Sequence, residues 1–589
     1  MLRNTLLTFV SLSALVSSEI SLENGAPTVI LANNALISGV IKNSREGKSF
    51  YSFTGIPYGI IPKRFQAAQL IVEPWEGMKY ATEEGEICTQ KAVDTLGDTI
   101  GGEDCLNLNV YIPVLNSNKT EDSYPNGLPI LVWIHGGGFS FGDAVTFSGP
   151  KYFMDEPVIL VTFNYRLGVF GFLSTGDDVI PGNNGLKDQV LAFKWIQKNI
   201  KEFGGDPNKV TIFGVSAGGA SVHYHLLSPL SKGLFHRAII QSGSALAFWA
   251  YKEKSKDEAV KLATFLNCSH AMENSTKITS QEILECFQNL TADELNTAQF
   301  AFKSSWPANL RSFNFAPVAE TSSSSVGSGN QPFLTESPME LISRGKYASK
   351  VPLIIGSSED EGATLFAGAV LRDQVLLNEL NSNWDLVAPK AMGYDVHYSP
   401  EQQNQISGKL RKLYFGNKTV SQDTVDNLTD FYTDQILHPV YNAALAYVMN
   451  GNPVYLYQFA YPGQVSFMGL AFNITGNLSK KVAHSDEVQY LFDIPILGGL
   501  NLLKSGSSDE KFSKNLVHLW ASFAEEGRPK HLSDQNPKWE TISKNEYNGL
   551  TPLKWYRLEE NPHYIYDPYE KRVTALDVIF ADYYKHKIF

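Results

Sequence analysis

Nucleophilic acyl transfer needs a serine or cysteine, a base, a carboxylate and a cradle of backbone N–H groups, and the chain carries candidates for each part. Gly214-Val215-Ser216-Ala217-Gly218 matches G-x-S-x-G, the tight strand-to-helix turn that raises a serine hydroxyl above a sheet. The pattern is weak alone, because Gly138-Phe139-Ser140-Phe141-Gly142 matches it too. Context separates them. Val210-Thr211-Ile212-Phe213 reads as a strand before Ser216, and Ala217 to Ala220 are small enough to pack on a sheet before a helix over Ser221 to Leu227. Ser140 sits between two phenylalanines and leads into Gly142-Asp143, where no helix begins. Ser216 is the better nucleophile. The other match overlaps His135-Gly136-Gly137-Gly138, a loop whose N–H groups can converge on a developing oxyanion; the competing reading is an ordinary glycine turn. His135 itself reads as structural.

For this turn the expected chain order is Ser, then Asp or Glu, then His. After the apolar run Val351 to Ile355 come Glu359, Asp360 and Glu361, and spacing does not choose among them or exclude a solvated acidic loop. The histidines that follow are His397, His438, His484, His518, His531, His563 and His586. Of these, His484 lies in the polar turn Val482-Ala483-His484-Ser485-Asp486-Glu487, ahead of the apolar Val488 to Ile494 region. Residue patterns go no further toward the base.

The elements that must position these groups are short aliphatic runs: Pro129 to Ile134, Pro157 to Phe163, Val210 to Phe213, Arg237 to Gln241, Val351 to Ile355 and Val454 to Phe459. They alternate little, as strands buried on both faces do. Between the second and third, Leu186, Val190, Phe193, Ile196, Ile200 and Phe203 recur at three- and four-residue spacing, which predicts a helix with one apolar face. Strand, helix, strand implies an α/β fold with a mostly parallel sheet.

At 589 residues, with 43% hydrophobic and 19% charged residues, the composition is that of a globular protein. With 61 acidic against 49 basic residues the net charge is −12, which disfavours nucleic acid as a partner. Length alone suggests about four domains. One site drawing on most of the chain argues instead for a single catalytic domain over 19–589, behind a secretory signal at 1–18: Arg3, an apolar stretch from Leu6 to Val16, then Ser17-Ser18. No later segment reads as a bilayer span or lipid-anchor tail, so a secreted, extracellular product is expected. Cys88, Cys105, Cys268 and Cys286 suit an oxidising destination, and four cysteines allow three connectivities. Sequons at Asn118, Asn274, Asn289, Asn417, Asn427, Asn473 and Asn477 point to glycosylated loops; Asn267 also heads one, with Cys268 in its middle position.

Taken together, the chain resembles the type-B carboxylesterase family, which includes cholinesterases and the insect carboxyl and juvenile hormone esterases. Beyond the serine turn and glycine loop, the matching segments include Gly55-Ile56-Pro57-Tyr58, Glu103-Asp104-Cys105-Leu106-Asn107-Leu108-Asn109-Val110-Tyr111, Asn164-Tyr165-Arg166-Leu167-Gly168, Gly182-Asn183-Asn184-Gly185 and Phe203-Gly204-Gly205-Asp206-Pro207. The resemblance runs from about residue 25 to the C-terminus. It implies an α/β-hydrolase fold with long insertions, and it designates Glu361 of Asp360-Glu361-Gly362 as the acid and His484 as the base, supported by Glu487. It further implies oxyanion donors at Gly137, Gly138 and Ala217, a supporting Ser242, an acyl pocket shaped by Trp249 and Phe313, disulfides 88–105 and 268–286, and ion pairs Arg64–Glu103 and Arg166–Asp188.

Two departures narrow it. Residues 89–104 contain no Phe, Tyr or Trp, so the aromatic cation site of cholinesterases has no counterpart. Val215 stands where juvenile hormone esterases usually have Gln. The expectation is a serine carboxylesterase acting on apolar small-molecule esters, with no metal or organic cofactor called for. Alternatives are a juvenile hormone or pheromone- or odorant-degrading esterase and, from another class, a catalytically silent binding or adhesion protein.

Overall fold

The computed structural model describes residues 20–92, 97–115, 123–268, 278–301, 315–321, 331–395, 397–497, 502–547 and 552–581. Phe313, Asn118, Asn274, residues 1–18 and the serine-rich stretch after Thr321 lie outside them. At the centre is an eleven-stranded sheet. In chain order its strands are β1 (Val40–Asn43), β2 (Ser49–Pro57), β3 (Asn107–Pro113), β4 (Leu128–Ile134), β5 (Ile159–Phe163), β6 (Gly205–Val215), β7 (Arg237–Gln241), β8 (Leu353–Ser358), β9 (Val454–Phe459), β10 (Lys554–Leu558) and β11 (His563–Tyr566). Across the sheet the order is β1-β2-β3-β5-β4-β6-β7-β8-β9-β10-β11. The strands from β5 to β10 in that order pair in parallel, and antiparallel strands close both edges. The mostly parallel α/β architecture expected from the strand runs is present.

The missing alternation has a physical cause. Ile130, Val132 and Ile134 of β4 enter one core, while Leu131 and Trp133 enter another on the opposite face. Period two persists, but both directions are apolar because helices cover both sides. The first core receives Leu186, Val190, Phe193 and Ile196 from α1 (Asn184–Asn199), with α2 (Ala217–Leu227) and α3 (Val425–Met449). The second receives Phe512, Leu516, Leu519, Trp520 and Phe523 from α4 (Ser508–Glu526), spaced at helical intervals. Fully burying one such Leu or Phe side chain contributes about 1.5–3 kcal/mol.

Strand β8 extends past its aliphatic run. Gly356, Ser357 and Ser358 are buried and pair with Tyr457, Gln458 and Phe459 of β9. Neighbouring strands overrule the weak strand preference of Gly and Ser, and the ladder carries the chain to the C-terminal end of the strand, where the acidic loop begins. Between the loop after β5 and α1, Arg166 grips Asp188 with two hydrogen bonds of 2.7 and 2.8 Å, their side chains 5% and 0% exposed. Arg64 likewise pairs with Glu103. The disulfides are Cys88–Cys105 and Cys268–Cys286, the neighbour pairing among the connectivities.

Candidate active site

The serine turn is built by contact as much as by sequence. Strand β6 ends at Val215 and α2 starts at Ala217, leaving Ser216 between them at φ 60° and ψ −122°. A residue with a Cβ rarely occupies this region, and holding it there costs about 1–3 kcal/mol. Its N–H is held by the carbonyl of Gln241 on β7 at 2.9 Å. The following glycines allow the helix start to wedge between strands: a Cβ on Gly218 would lie 2.0 Å from the Ile134 carbonyl, and one on Gly219 2.6 Å from that of Gln241. Ser216 is partly exposed where its neighbours are buried. Ala217 opens α2, so its N–H is among the four that a helix leaves without an internal acceptor.

The glycine loop leaves β4 directly against this turn. A Cβ on Gly136 would come 3.2 Å from that of Ser216. Gly137 has φ 103°, and a Cβ there would meet the Phe141 carbonyl at 1.9 Å, so only glycine fits. Gly138 also has positive φ. His135 is 5% exposed and stacks on Tyr165, whose hydroxyl donates to the His135 carbonyl at 2.9 Å. Burial pushes its pKa down to about 4, which keeps the ring neutral. Ser140, the competing serine, is buried and donates to the Gly138 carbonyl at 3.2 Å. Trp249 packs on Phe139 next to this loop, with ring centroids 6.2 Å apart.

Chain segments 123 residues apart meet at the third component: His484 Nδ1 lies 2.6 Å from Glu361 Oε2. The carboxylate is 0% exposed, and its other oxygen accepts the Ser358 N–H at 2.7 Å. An ionised carboxylate can only accept, so the neutral imidazole carries its proton on Nδ1 and keeps a lone pair on Nε2. Gly362 lets this turn sit on α3: a Cβ would lie 2.3 Å from the Thr429 carbonyl. Phe366 closes over the imidazole edge, with centroids 6.3 Å apart.

The three consecutive carboxylates, indistinguishable by spacing, separate by partner. Glu359 faces Arg557 on β10, Asp360 faces Lys481, and Glu361 faces His484. Gln241 ties the serine turn to the histidine turn, because it also gives Nε2 to Glu487 Oε1 at 3.2 Å. Lys481 does not stand out in the sequence, and Gln241 does so only as part of the family-like segment Gln241-Ser242-Gly243, since each acts through residues far away along the chain. Ser242 follows Gln241, and its buried hydroxyl has no hydrogen-bond partner among the described residues. Asp486 accepts from Ser466 Oγ, Met468 N and Ala483 N, fastening the histidine turn to the short helix Phe467–Ala471.

Burial disfavours the charged form of His484, but the charge and hydrogen bond of Glu361, with Glu487 and Asp486 behind it, outweigh this and raise its pKa above 6.5. Glu487 is pushed up to about 7, first by burial and then by the charge of Glu361. Asp486 rises to about 6 through burial. Among the described residues, no group of three or more His, Cys, Asp or Glu side chains is arranged to share a metal ion.

The model of the carboxylesterase family matches residues 26–562. The chain belongs to that family. Esterase FE4 of Myzus persicae is 37% identical over 516 residues, covering 86% of each chain. A juvenile hormone esterase of Tribolium castaneum is 36% identical over 534 residues, covering 87% of this chain and 86% of its own. The crystal structure of juvenile hormone esterase from Manduca sexta, with OTFP covalently attached, superposes with a TM-score of 0.78 at 26% identity, covering 94% of this chain and all of that one. The fold is therefore the α/β-hydrolase fold, and this carboxylesterase is a carboxylic ester hydrolase. Among its described residues no helix is long and apolar enough to cross a membrane. Of the sequons inside them, those at Asn289, Asn417, Asn473 and Asn477 are exposed, whereas Asn427 is half-buried with its side-chain amide donating to the Tyr414 carbonyl at 2.8 Å.

Proposed function

We propose that the protein is a secreted serine carboxylesterase, one catalytic domain behind a cleaved signal, that hydrolyses apolar carboxylic esters through an acyl-enzyme. The observation that carries this reading is the 2.6 Å hydrogen bond from His484 to the buried Glu361, beside a serine turn linked to the same loop through Gln241 and Glu487. Neutral His484 takes the Ser216 proton on Nε2 as Oγ attacks the ester carbonyl. Glu361 orients the ring and stabilises its charged form. The N–H groups of Gly137, Gly138 and Ala217 hold the oxyanion. The tetrahedral centre collapses, the C–O bond to the alcohol breaks, and His484 returns the proton to that leaving oxygen. Water then attacks the acyl-enzyme with His484 again as base, releasing the acid and restoring Ser216. Covalent attachment of OTFP in the Manduca sexta relative fits a nucleophilic mechanism of this kind. Trp249, beside Phe139 and the glycine loop, suits an apolar acyl group. Two disulfides favour an oxidising destination.

A fluorophosphonate probe followed by peptide mapping tests the assignment. Labelling at Ser216 that disappears, together with ester turnover, in Ser216→Ala is the expected outcome. Undiminished labelling of that variant would overturn the nucleophile, and an unreactive folded wild type would favour a silent binding protein. Relative kcat/KM on short acetates, long-chain esters and methyl esters separates a general esterase from a hormone- or odorant-degrading one.

A further inference from the structure

Glu361 and His484 sit on different loops, and a single hydrogen bond between loops acts as a hinge rather than a mount. A second connection lies one residue upstream. Lys481 Nζ is 3.2 Å from Asp360 Oδ1 and 3.1 Å from Asp426 Oδ1 at the start of α3. The backbone joins in: Asp360 N–H donates to the Val482 carbonyl at 3.0 Å, and Val482 N–H donates to Asp360 Oδ2 at 3.4 Å. Asp360 therefore grips residues 481–482 with its backbone and both carboxylate oxygens, immediately beside the contact its neighbour makes with His484.

We propose that the Asp360–Lys481 ion pair is a positioning device that sets the relative placement of the acid and base loops, so that Glu361 meets Nδ1 and Nε2 is aimed at the nucleophile. The inference rests on the reading of Ser216, Glu361 and His484 given above. With side chains 19% and 31% exposed, the pair is too wet to add much to global stability. Its effect is geometric. The ion pair adds a side-chain tie to the two hydrogen bonds between Asp360 and Val482, and these together with the Glu361–His484 contact fix the relative orientation of the two loops. Misplacing a catalytic group by about 1 Å can cost about 100-fold in rate. Asp426, 76% exposed, steers the ammonium without burying it.

The test compares Lys481→Met, Lys481→Arg, the near-isosteric Asp360→Asn and the Asp360→Asn/Lys481→Met double variant on a 4-nitrophenyl ester. Rates are expressed per active site titrated with a fluorophosphonate. Lys481→Met and Asp360→Asn should each lower kcat by about 10-fold with KM within about two-fold. Lys481→Arg should recover most of the rate, and the double variant should be no slower than the slower single one. A kcat per site within two-fold of wild type in Asp360→Asn overturns the proposal, as does an arginine variant as slow as the methionine one. Loss of titratable sites or of denaturation midpoint at unchanged kcat per site would mean a merely structural role, and overturns it too. Ser216→Ala and Glu361→Gln run alongside. If those two keep turnover, the underlying assignment has failed; if they abolish it while the ion-pair variants are normal, only the positioning claim has.

Discussion

Replacing Glu361 with glutamine removes a charge and almost no volume, so its effect reports on the hydrogen bonds at that site. The two oxygens of Glu361 accept from opposite sides, from Ser358 N–H at 2.7 Å and from His484 Nδ1 at 2.6 Å. An amide can satisfy only one. If its carbonyl keeps the Ser358 N–H, its NH2 faces Nδ1, and the neutral imidazole must move its proton to Nε2, where it blocks proton uptake from Ser216. If the amide flips, its NH2 abuts the Ser358 N–H inside a fully buried pocket, leaving two donors face to face. Loss of the charge also removes the main partner of the imidazolium that forms in the transition state. The matching change in a serine triad costs about 10,000-fold in kcat, or about 5 kcal/mol of transition-state stabilisation. The assay is steady-state hydrolysis of a 4-nitrophenyl ester, with circular dichroism and urea denaturation verifying the fold. A folded Glu361→Gln enzyme turning over within ten-fold of wild type would refute the role of this carboxylate.

Other outcomes follow from the same geometry. Protonated His484 cannot accept the Ser216 proton, so kcat/KM falls as pH drops through its pKa; because nearby carboxylates raise that pKa above 6.5, the midpoint of the acid limb should lie above 6.5. Glu487→Gln removes the negative charge that Glu487 carries above its own pKa of about 7 and should move the part of the limb above that pH downward, and a limb that moves upward in a pH-rate profile contradicts the electrostatic account. Gly137→Ala forces a methyl group to within 1.9 Å of the Phe141 carbonyl at φ 103° and should lower kcat by about 100-fold or more with little change in KM. An unaltered kcat would remove Gly137 from the oxyanion site. Arg166→Met leaves the fully buried Asp188 unpaired and should cost about 3–5 kcal/mol in urea denaturation, whereas a loss under about 1 kcal/mol would mean that water or another cation takes over.

Local stereochemistry is recorded in adjacent residues, and it could be read without coordinates. The unbroken run of small residues from Ala217 to Ala220 after Ser216, where Ser140 is followed directly by Phe141, distinguished a turn that can wedge between strands from one that cannot. The glycines of the loop after β4 announced a backbone that side chains would block. Aliphatic runs without alternation announced strands covered on both faces. The end of β8 was less visible, since Gly356-Ser357-Ser358 has little strand preference and pairs only because β9 lies alongside.

The amino-acid order alone was thus enough for the serine turn, the glycine loop and the α/β class, because each depends on what a few consecutive residues can do conformationally. Assigning Glu359 to Arg557, Asp360 to Lys481 and Glu361 to His484 required the tertiary structure. Adjacent carboxylates are chemically alike, and what distinguishes them is the cation or imidazole that strand order and loop packing bring to each from more than a hundred residues away.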